Sequence, residues 1–465
     1  MTREQRLVLT IAVLGSFVTF LDGTLANVAL PAIRDELGGG LRAQQWIVDA
    51  YLITLGALIL IAGAVSDTYG RLGVLRVGLI GFGLTSAGIA LAPATEVIIG
   101  LRALQGAAGA LLVPSSLALI MAHFEGTAQA RAIGSWTGWT SLASLAGPVI
   151  GGGFIDLVSW RAAFAVNLLP IAVSLVLISR LASTAQRDVR RPGRSIDYPG
   201  AILVVLGLGA TVFALIEQGT LGWSHPAIWG PLLGGVLALA GFLWRQATAP
   251  RPIMPLSLFR AGNFAWGNLA TAFVYAGLYL SGFVIVVHLQ QVARFGATQA
   301  GLALLPSTVA LILLSATFGK LAGRHGPRLF MTVGPLLCGA GYLLMLAVAD
   351  PINYWTQVFP GAVVFGLGLT MTVAPLTAAV LAAVESARAG VASAVNNAVS
   401  RVAGLVAVAF AGVISEGLLD VSGLHRSLVV CAAVSILGGL VAWLGIRNPE
   451  PSGRARTEDP TPGIR

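Results

Sequence analysis

The chain has 465 residues, of which 56% are apolar and only 10% are charged, with a mean hydropathy of +0.85. Soluble proteins carry about 25% charged residues, so this composition excludes a soluble globular protein and requires apolar surface that faces lipid. The net charge of +9 does not indicate nucleic-acid binding, because the basic residues follow the pattern of membrane loops. The 2 cysteines and 5 scattered histidines form neither a disulfide framework nor a metal-ligand pattern.

Apolar runs of about 20 residues predict fourteen membrane-spanning helices. The first run is too long for the apolar part of a cleaved signal peptide, so we expect it to remain as a span. The predicted spans cover residues 7–30, 45–65, 77–93, 97–122, 131–154, 162–180, 198–216, 226–244, 264–288, 300–319, 329–349, 357–383, 390–414 and 427–446.

The distribution of Lys and Arg predicts the orientation of these spans. If the N-terminus is cytoplasmic, most of the 28 basic residues fall on the cytoplasmic side. The predicted outer loops hold only Arg34, Arg42, Arg161, Arg294 and Arg426. Because short cytoplasmic loops are enriched in Lys and Arg, we expect both termini in the cytoplasm.

Charged residues lie inside the first and fourth predicted spans. Asp22 and Arg102 sit at similar depths, given a rise of ~1.5 Å per residue, so they could pair or share water. A carboxylate whose surroundings change between conformations can take up and release a proton. We interpret Asp22 as the principal proton carrier and Arg102 as its partner or switch; the alternative is a neutral structural aspartate. Asp49, near the outer end of the second span, is the next candidate carrier, or a structural or interfacial residue.

The loop after the second span contains Gly63, Asp67, Gly70 and Arg71. Glycine suits such a tight turn because it adopts positive φ, and we expect Asp67 to cap the next helix at its positive dipole end. Similar glycines recur at the same separation in a later loop, at Gly319 and Gly326. This repeat predicts two related halves, spans 1–6 and 9–14, as in many transporters.

Small residues dominate the fifth span around Gly147, Pro148 and Gly151. Proline breaks helical hydrogen bonding, which membrane helices tolerate where their neighbours satisfy the backbone again. Two interpretations remain open: a kink with close packing, or a hinge for a conformational change. Glu217, at the outer end of the seventh span, is expected to be a solvated helix end.

Polar and aromatic side chains within the spans are candidates for the lining of a substrate cavity, because ring faces attract lipophilic cations. Such side chains also serve for packing or face lipid. Arg401, in the thirteenth span, could pair with a carboxylate or bind an anionic substrate. The other candidates are Asn27, Gln105, Trp136, Trp139, Tyr275 and Tyr279.

Four segments resemble motifs of the major facilitator superfamily, and within it the fourteen-span drug:proton antiporters. Residues 21–31 resemble the family's first-span motif, and residues 63–71 its motif A, which departs at Thr68 from the family's basic residue. Residues 102–109 resemble motif B, and residues 138–152 resemble motif C, which the family associates with export. The likeness covers roughly residues 5–447.

The resemblance implies an all-α integral membrane protein with a major facilitator fold, made of two six-helix bundles and an inserted two-helix hairpin. It adds a gating role for residues 63–71, which would brace one half against the other. The expected domains are an N-terminal bundle (1–180), a cytoplasmic linker (181–197), the hairpin (198–245), a C-terminal bundle (246–447) and a disordered cytoplasmic tail (448–465).

The predicted function is proton-coupled efflux of small amphipathic or lipophilic compounds, such as drugs, antibiotics or dyes. A dedicated exporter of an endogenous metabolite or lipid would differ only in its cavity lining. A non-transporting receptor or scaffold is the alternative of another class, against which the buried Asp22 and Arg102 argue. No enzyme motif, metal site or nucleotide-binding loop is apparent. We expect a monomer in a bacterial cell membrane, with substrate, protons and lipid as partners, no nucleic acid, and a proton gradient in place of a cofactor.

Overall fold

The computed structural model describes residues 1–182, 197–250, 252–385 and 388–448. Most of the linker expected at 181–197 and of the tail expected at 448–465 lies outside these residues. Within the described ranges the backbone is almost entirely helical. This follows from the composition, because lipid offers no partners for backbone polar groups and a helix satisfies them internally.

The N-terminal half contains six spans, the last of which is divided by a short turn before Leu168. Its helices are α1 (Arg3–Leu37), α2 (Gly40–Tyr69), α3 (Arg71–Ala90), α4 (Thr95–His123), α5 (Gly126–Leu157), α6 (Trp160–Ala165) and α7 (Leu168–Ala182).

The inserted hairpin and the C-terminal half supply the other eight spans. The hairpin consists of α8 (Tyr198–Leu221) and α9 (Pro226–Thr248). The C-terminal half consists of α10 (Gly262–Gln291), α11 (Ala297–Ala303), α12 (Leu305–His325), α13 (Pro327–Leu344), α14 (Phe359–Ala382), α15 (Ala389–Ala409), α16 (Ala411–Ile414) and α17 (Val421–Gly445). Short 3-10 turns at Leu256–Arg260 and Met345–Ala347 and a π-helical turn at Tyr354–Val358 complete the helical segments.

Fourteen helical segments of the described chain are long and apolar enough to cross a membrane, which is the predicted number. Their ends differ from the prediction where polar residues continue a helix. The first span was predicted to end at residue 30, but α1 runs to Leu37 through Arg34 and Asp35. The tenth predicted span, 300–319, is interrupted at Leu304 between α11 and α12. The hairpin ends at Thr248, three residues beyond the predicted boundary at 245.

Several helices end at a glycine, and others begin at an acidic residue. Gly70 closes α2 with φ of 99°, and Gly326 closes α12 with φ of 85°. Both members of this predicted repeat therefore have the positive φ that favours glycine. Asp197 and Asp420 cap α8 and α17, each accepting a hydrogen bond from a backbone N–H in the first turn.

The two halves repeat the same packing. In the N-terminal half α1 packs on α5, and α4 packs on α2 and α3; in the C-terminal half α10 packs on α15, and α14 packs on α12 and α13. The halves meet mainly where α2 packs along α15 and where α5 packs on α11. The hairpin packs through α8 against α2. A central site is thus bordered by α1, α2 and α4 from one half and by α10 and α15 from the other.

Candidate functional site

The Asp22 carboxylate lies at the centre of a buried polar network in the N-terminal half. Its side chain is inaccessible to solvent, and its Oδ2 accepts a hydrogen bond from the Arg102 guanidinium at 2.5 Å. Its Oδ1 accepts hydrogen bonds from the amides of Asn167 at 2.9 Å and Gln105 at 3.3 Å. The Ser86 hydroxyl accepts from both of those amides. Asp22 therefore accepts hydrogen bonds from α4 and from the turn before α7, and Ser86 of α3 accepts from the two amide donors.

Arg102 is as fully buried as its partner. Its Nε donates to the backbone carbonyl of Ile47 at 3.1 Å, and its NH1 also donates to the side-chain oxygen of Gln105 at 2.7 Å. The guanidinium lies 4.1 Å from the centre of the Tyr51 ring, a cation–π contact. The predicted approach of Asp22 and Arg102 is thus a direct ion pair, which joins α1, α2 and α4.

Asp49 is equally buried, but among the described residues neither of its carboxylate oxygens has a hydrogen-bond partner. Its place on α2 follows from its neighbours on the same helical face. One turn earlier, the Gln45 amide donates to the carbonyls of Val408 and Ala409 in α15 at 2.8 and 3.0 Å. Two turns later, Gly56 packs against the backbone and Cβ of α15 at Arg401. Asp49 therefore lies on the face of α2 that meets the C-terminal half.

Arg401 is the second buried arginine of the central region, with 9% of its surface exposed. Its NH1 donates to the Tyr279 hydroxyl at 2.8 Å, and its guanidinium lies 5.6 Å from the centre of the Phe20 ring. No ion pair joins Arg401 to an acidic residue in the part of the chain that the structure describes. The ionisable side chains that act on it are Tyr279, Tyr51 and Tyr275.

A small cavity lies between the two halves beside these groups. Asn27, Tyr51 and Arg102 line it from the N-terminal half. Tyr279 and Val408 line it from the C-terminal half. The Asn27 side-chain oxygen is buried and has no partner among the described residues. The cavity therefore brings together an amide, two phenols and a guanidinium beside apolar side chains.

The glycines of α5 allow close packing on both halves. A Cβ at Gly147 would lie 2.8 Å from the Leu21 carbonyl oxygen, and one at Gly151 would overlap the Leu25 side chain. Gly152 meets the backbone of α11 at Thr298 in the same way, and Pro148 lies against Gly301. Gly147 and Gly151 thus place α5 directly against the segment of α1 that carries Asp22, whereas Pro148 lies on the side of α5 that meets α11.

Residues 63–71 differ in part from the prediction. Asp67 lies inside α2 and pairs with Arg71 at 3.3 Å, whereas α3 begins after Gly70 without a side-chain cap. The predicted capping role of Asp67 is therefore wrong, because α2 extends four residues past the end of its apolar run. Arg71 also donates to the Ala118 carbonyl in α4 at 2.9 Å. Gly63 lies in α2, where a Cβ would meet nothing within 4 Å.

The other predicted cavity residues are dispersed. Gln105 belongs to the Asp22 network, and Tyr275 lies in α10 near Tyr279 and Arg401. Trp136 donates to the Ser16 hydroxyl at 3.0 Å on α1. Trp139 is half exposed and none of its contacts places it with the central groups.

Two functional contacts were missed by sequence reasoning. Ser86 gave no indication of its role, because a serine in an apolar run is common. Glu217 was expected to be solvated, but it is buried and accepts hydrogen bonds from Arg42 at 2.7 Å and Trp46 at 2.9 Å. The expectation was wrong because α8 packs against α2 at this level. The spacing of Arg42 and Trp46, one helical turn apart, was the available indication.

Fourteen spans in two repeated halves with a polar site between them define a multi-pass membrane transporter rather than an enzyme. A family model, Major Facilitator Superfamily, matches residues 12–408 and 269–464, and the chain belongs to this superfamily.

The relatives and solved structures agree with this assignment. The chain is 32% identical over 441 residues to the methylenomycin A resistance protein of Streptomyces coelicolor, covering 94% of this chain and 91% of that one. It is 32% identical over 413 residues to the multidrug resistance protein Stp of Mycobacterium tuberculosis, covering 89% and 76%. A crystal structure of a POT family transporter in complex with a thioalcohol-conjugated peptide has the same fold, with a TM-score of 0.70, 15% identity and coverage of 94% and 96%.

Proposed function

We propose that the protein exports small amphipathic compounds in exchange for protons, by alternating access to the central cavity. Two relatives are named for resistance to methylenomycin A and to multiple drugs, which supports efflux. The observation that carries the proton-coupled part is the Asp49 carboxyl, which is buried and without a partner among the described residues.

Asp49 suits a proton carrier because its surroundings depend on how the halves are arranged. Burying an ionised carboxylate without a partner is costly, and a bound proton removes that cost. Asp49 lies on the face of α2 that packs on α15, so movement of the halves relative to each other would expose it to water, where it releases the proton. Substrate and proton then use the same interface.

The Asp22–Arg102 pair suits a different role in this mechanism. All partners of the Asp22 carboxylate belong to the N-terminal half, so they would move together with it if each half moves as a unit. In our proposal the pair braces α1 and α4 beside the cavity, and Asp49 takes the role of principal carrier that the sequence assigned to Asp22.

The test is substrate-evoked proton movement in liposomes that contain the purified protein and an internal pH-sensitive dye. Methylenomycin A and ethidium are added under an imposed pH gradient to wild type, Asp49→Asn and Glu96→Gln. Glu96 is an exposed residue of α4 and serves as the matched control for loss of a carboxyl. We expect at least one of the two compounds to evoke proton movement in wild type and Glu96→Gln, and the response to that compound to fall roughly tenfold or more in Asp49→Asn.

The outcomes separate the parts of the proposal. Proton movement that survives in a correctly inserted Asp49→Asn protein would refute Asp49 as the carrier and return that role to Asp22. Efflux of either compound that needs no pH gradient would refute coupling to protons and leave the export function standing.

A further inference from the structure

The buried charges of the central region do not balance. Asp22 and Arg102 neutralise each other at 2.5 Å. Arg401 remains as a buried cation for which the described residues provide no acidic partner. Asp49 lies on α2, two helical turns, or ~10 Å along the helix axis, from the level at which α2 meets Arg401 of α15. It carries a proton in the proposed mechanism. Among the described residues, the central region therefore carries one positive charge, on Arg401, that no acidic side chain compensates.

An uncompensated guanidinium inside a membrane protein is costly. Buried charges are paired in most proteins, and charged residues within spans mark substrate or ion pathways. The contacts that Arg401 makes, one hydroxyl at 2.8 Å and one aromatic face at 5.6 Å, leave most of its donors unused, because a guanidinium carries five N–H groups. Those donors form a fork that matches a carboxylate.

The surroundings of Arg401 fit a ligand with an acidic group and an aromatic or aliphatic body. Tyr279, which accepts from Arg401, also lines the cavity between the halves. Tyr51 faces the same cavity and stacks on Arg102, and Phe20 lies over Arg401. Arg401 and Phe20 are not among the lining residues, so an anion in the cavity would reach the guanidinium beside Tyr279, next to the Phe20 ring.

We propose that Arg401, together with the Tyr279 hydroxyl, binds an ionised acidic group of the substrate, so that the exported compounds are amphipathic acids rather than lipophilic cations. This inference rests on the proposed export function and names the substrate class of the same cavity. Gly404 supports the arrangement, because the Tyr279 ring occupies the space that a side chain at Gly404 would need. This close packing of α10 on α15 holds the Tyr279 phenol beside the Arg401 guanidinium.

The test compares two fluorescent probes of nearly equal shape, 9-anthracenecarboxylate and the neutral 9-anthracenecarboxamide. Binding to the purified, detergent-solubilised protein is followed by energy transfer from its 10 tryptophans. We expect wild type to bind the acid about tenfold more tightly than the amide, because a charge-assisted pair with Arg401 forms only with the acid.

Three variants test whether the positive charge of Arg401 causes the preference for the acid. Arg401→Gln should weaken binding of the acid to the level of the amide and leave the amide unchanged, which also shows that the variant is folded. Arg401→Lys should keep part of the preference. Arg76→Gln removes an exposed arginine of α3 and should keep all of it.

Equal binding of the two probes by wild type, binding of neither by a folded protein, or an undiminished preference in Arg401→Gln would each overturn the anion site. Proton movement in liposomes distinguishes this failure from failure of the proposed function. A protein that prefers the acid through Arg401 but moves no protons keeps the site and loses coupled export. A protein that moves protons with no preference for the acid loses only the anion site.

Discussion

Two buried aspartates one helix apart have opposite surroundings. Asp22 is surrounded by donors from Arg102, Asn167 and Gln105, whereas Asp49 has no partner among the described residues. The sequences around them look alike, since each is a single acidic residue in an apolar span. The difference arises from which helical face each one occupies, and it predicts different effects of the same Asp→Asn change.

Replacing Asp22 with Asn should destabilise the protein by about 3–5 kcal/mol, because Arg102 is left as a buried charge without its counter-ion. Asp49→Asn loses no partner and should change stability by less than about 1 kcal/mol. Thermal unfolding of both variants in detergent, followed by tryptophan fluorescence, measures the difference. Equal destabilisation by the two changes would contradict the assignment of Asp22 as a braced ion pair.

The helical rise per residue was enough to predict that Asp22 and Arg102 lie at similar depths in their spans and could meet. The remaining members of the network could not be predicted in this way. Asn167 reaches Asp22 because α7 packs beside α1, and Ser86 joins the network through Asn167 because α3 packs on α7. Rotation of a helix about its own axis is fixed by such packing, and span hydropathy carries little information about it.

Among the elements, α5 is closely constrained where it packs on α1. A Cβ at Gly147 would collide with the backbone of α1 at Leu21, whereas a Cβ at Gly138 in the same helix would meet nothing within 4 Å. This contrast favours the close-packing interpretation of residues 147–151 in the conformation described. It leaves movement of α5 along α1 as a separate question for experiment.

Gly147→Ala should cost about 1–3 kcal/mol through overpacking of α1 against α5, and it should lower transport because α1 carries both Asp22 and Asn27. Gly138→Ala, the matched control, should be neutral or slightly stabilising, since alanine favours helix. Substrate-evoked proton movement and thermal unfolding are measured for both. If Gly147→Ala unfolds at the same temperature as wild type, α1 and α5 can move apart without a loss of folding free energy.

The hairpin is anchored at both ends of α8. Glu217 joins its outer end to Arg42 and Trp46 of α2, and Asp197 joins its start to Arg245 at 2.8 Å. Hydropathy predicted both helices of the hairpin but not these anchors, because each one joins residues far apart in sequence. Glu217 thereby ties the hairpin to α2, and Asp197 ties the two helices of the hairpin to each other.

Asp197 gives the hairpin a pH dependence. Burial alone would raise the pKa of the Asp197 carboxyl, but hydrogen bonds from Arg245, the Gly200 N–H and Gln246 together hold that pKa below its ordinary value. A lowered folded-state pKa stabilises the fold above the unfolded value of about 3.9, and the gain is lost as pH falls through the folded value.

Asp197→Asn should therefore cost about 1–2 kcal/mol at pH 7, and the difference in stability between variant and wild type should be smaller at a pH below the unfolded value of about 3.9. Hydrogen exchange of the α8 amides at both pH values localises the effect to the hairpin. If the difference in stability between the variant and wild type does not change with pH, the Asp197 side chain stabilises the hairpin by its shape rather than by its charge.

For the molecule as a whole, contacts between the halves are unequal on the two sides of the membrane. Where α5 meets α11, the Asp156 carboxylate accepts hydrogen bonds from the N–H groups of Ala297 and Thr298, each at 2.9 Å. The Gln290 amide donates to the Val28 carbonyl nearby. Towards the opposite side, α5 and α12 share few contacts in the described chain. The conformation is closed on the predicted outer side.

Hydropathy and motifs predicted the number of spans and the repeated halves, because both follow from properties that every conformation of the transporter shares. They could not predict which side is closed. In the proposed mechanism, the alternating states would share the same spans and would differ in contacts between the halves, such as that of Asp156 with Ala297. Such a contact is a single polar group at a helix end, and many similar groups face water.

If transport requires the halves to separate at α5 and α11, a covalent link across Asp156 and Thr298 should stop it. Both native cysteines, Cys338 and Cys431, are buried, so cysteines introduced by Asp156→Cys and Thr298→Cys would react selectively with a short, reducible bifunctional thiol reagent. We expect the linked double variant to lose roughly tenfold or more of its substrate-evoked proton movement, as for a trapped conformational step, and to recover it on reduction. Each single-cysteine variant treated in the same way is the control. Continued transport by protein that mass spectrometry shows to be fully linked would mean that this contact stays closed throughout the cycle and that access alternates elsewhere.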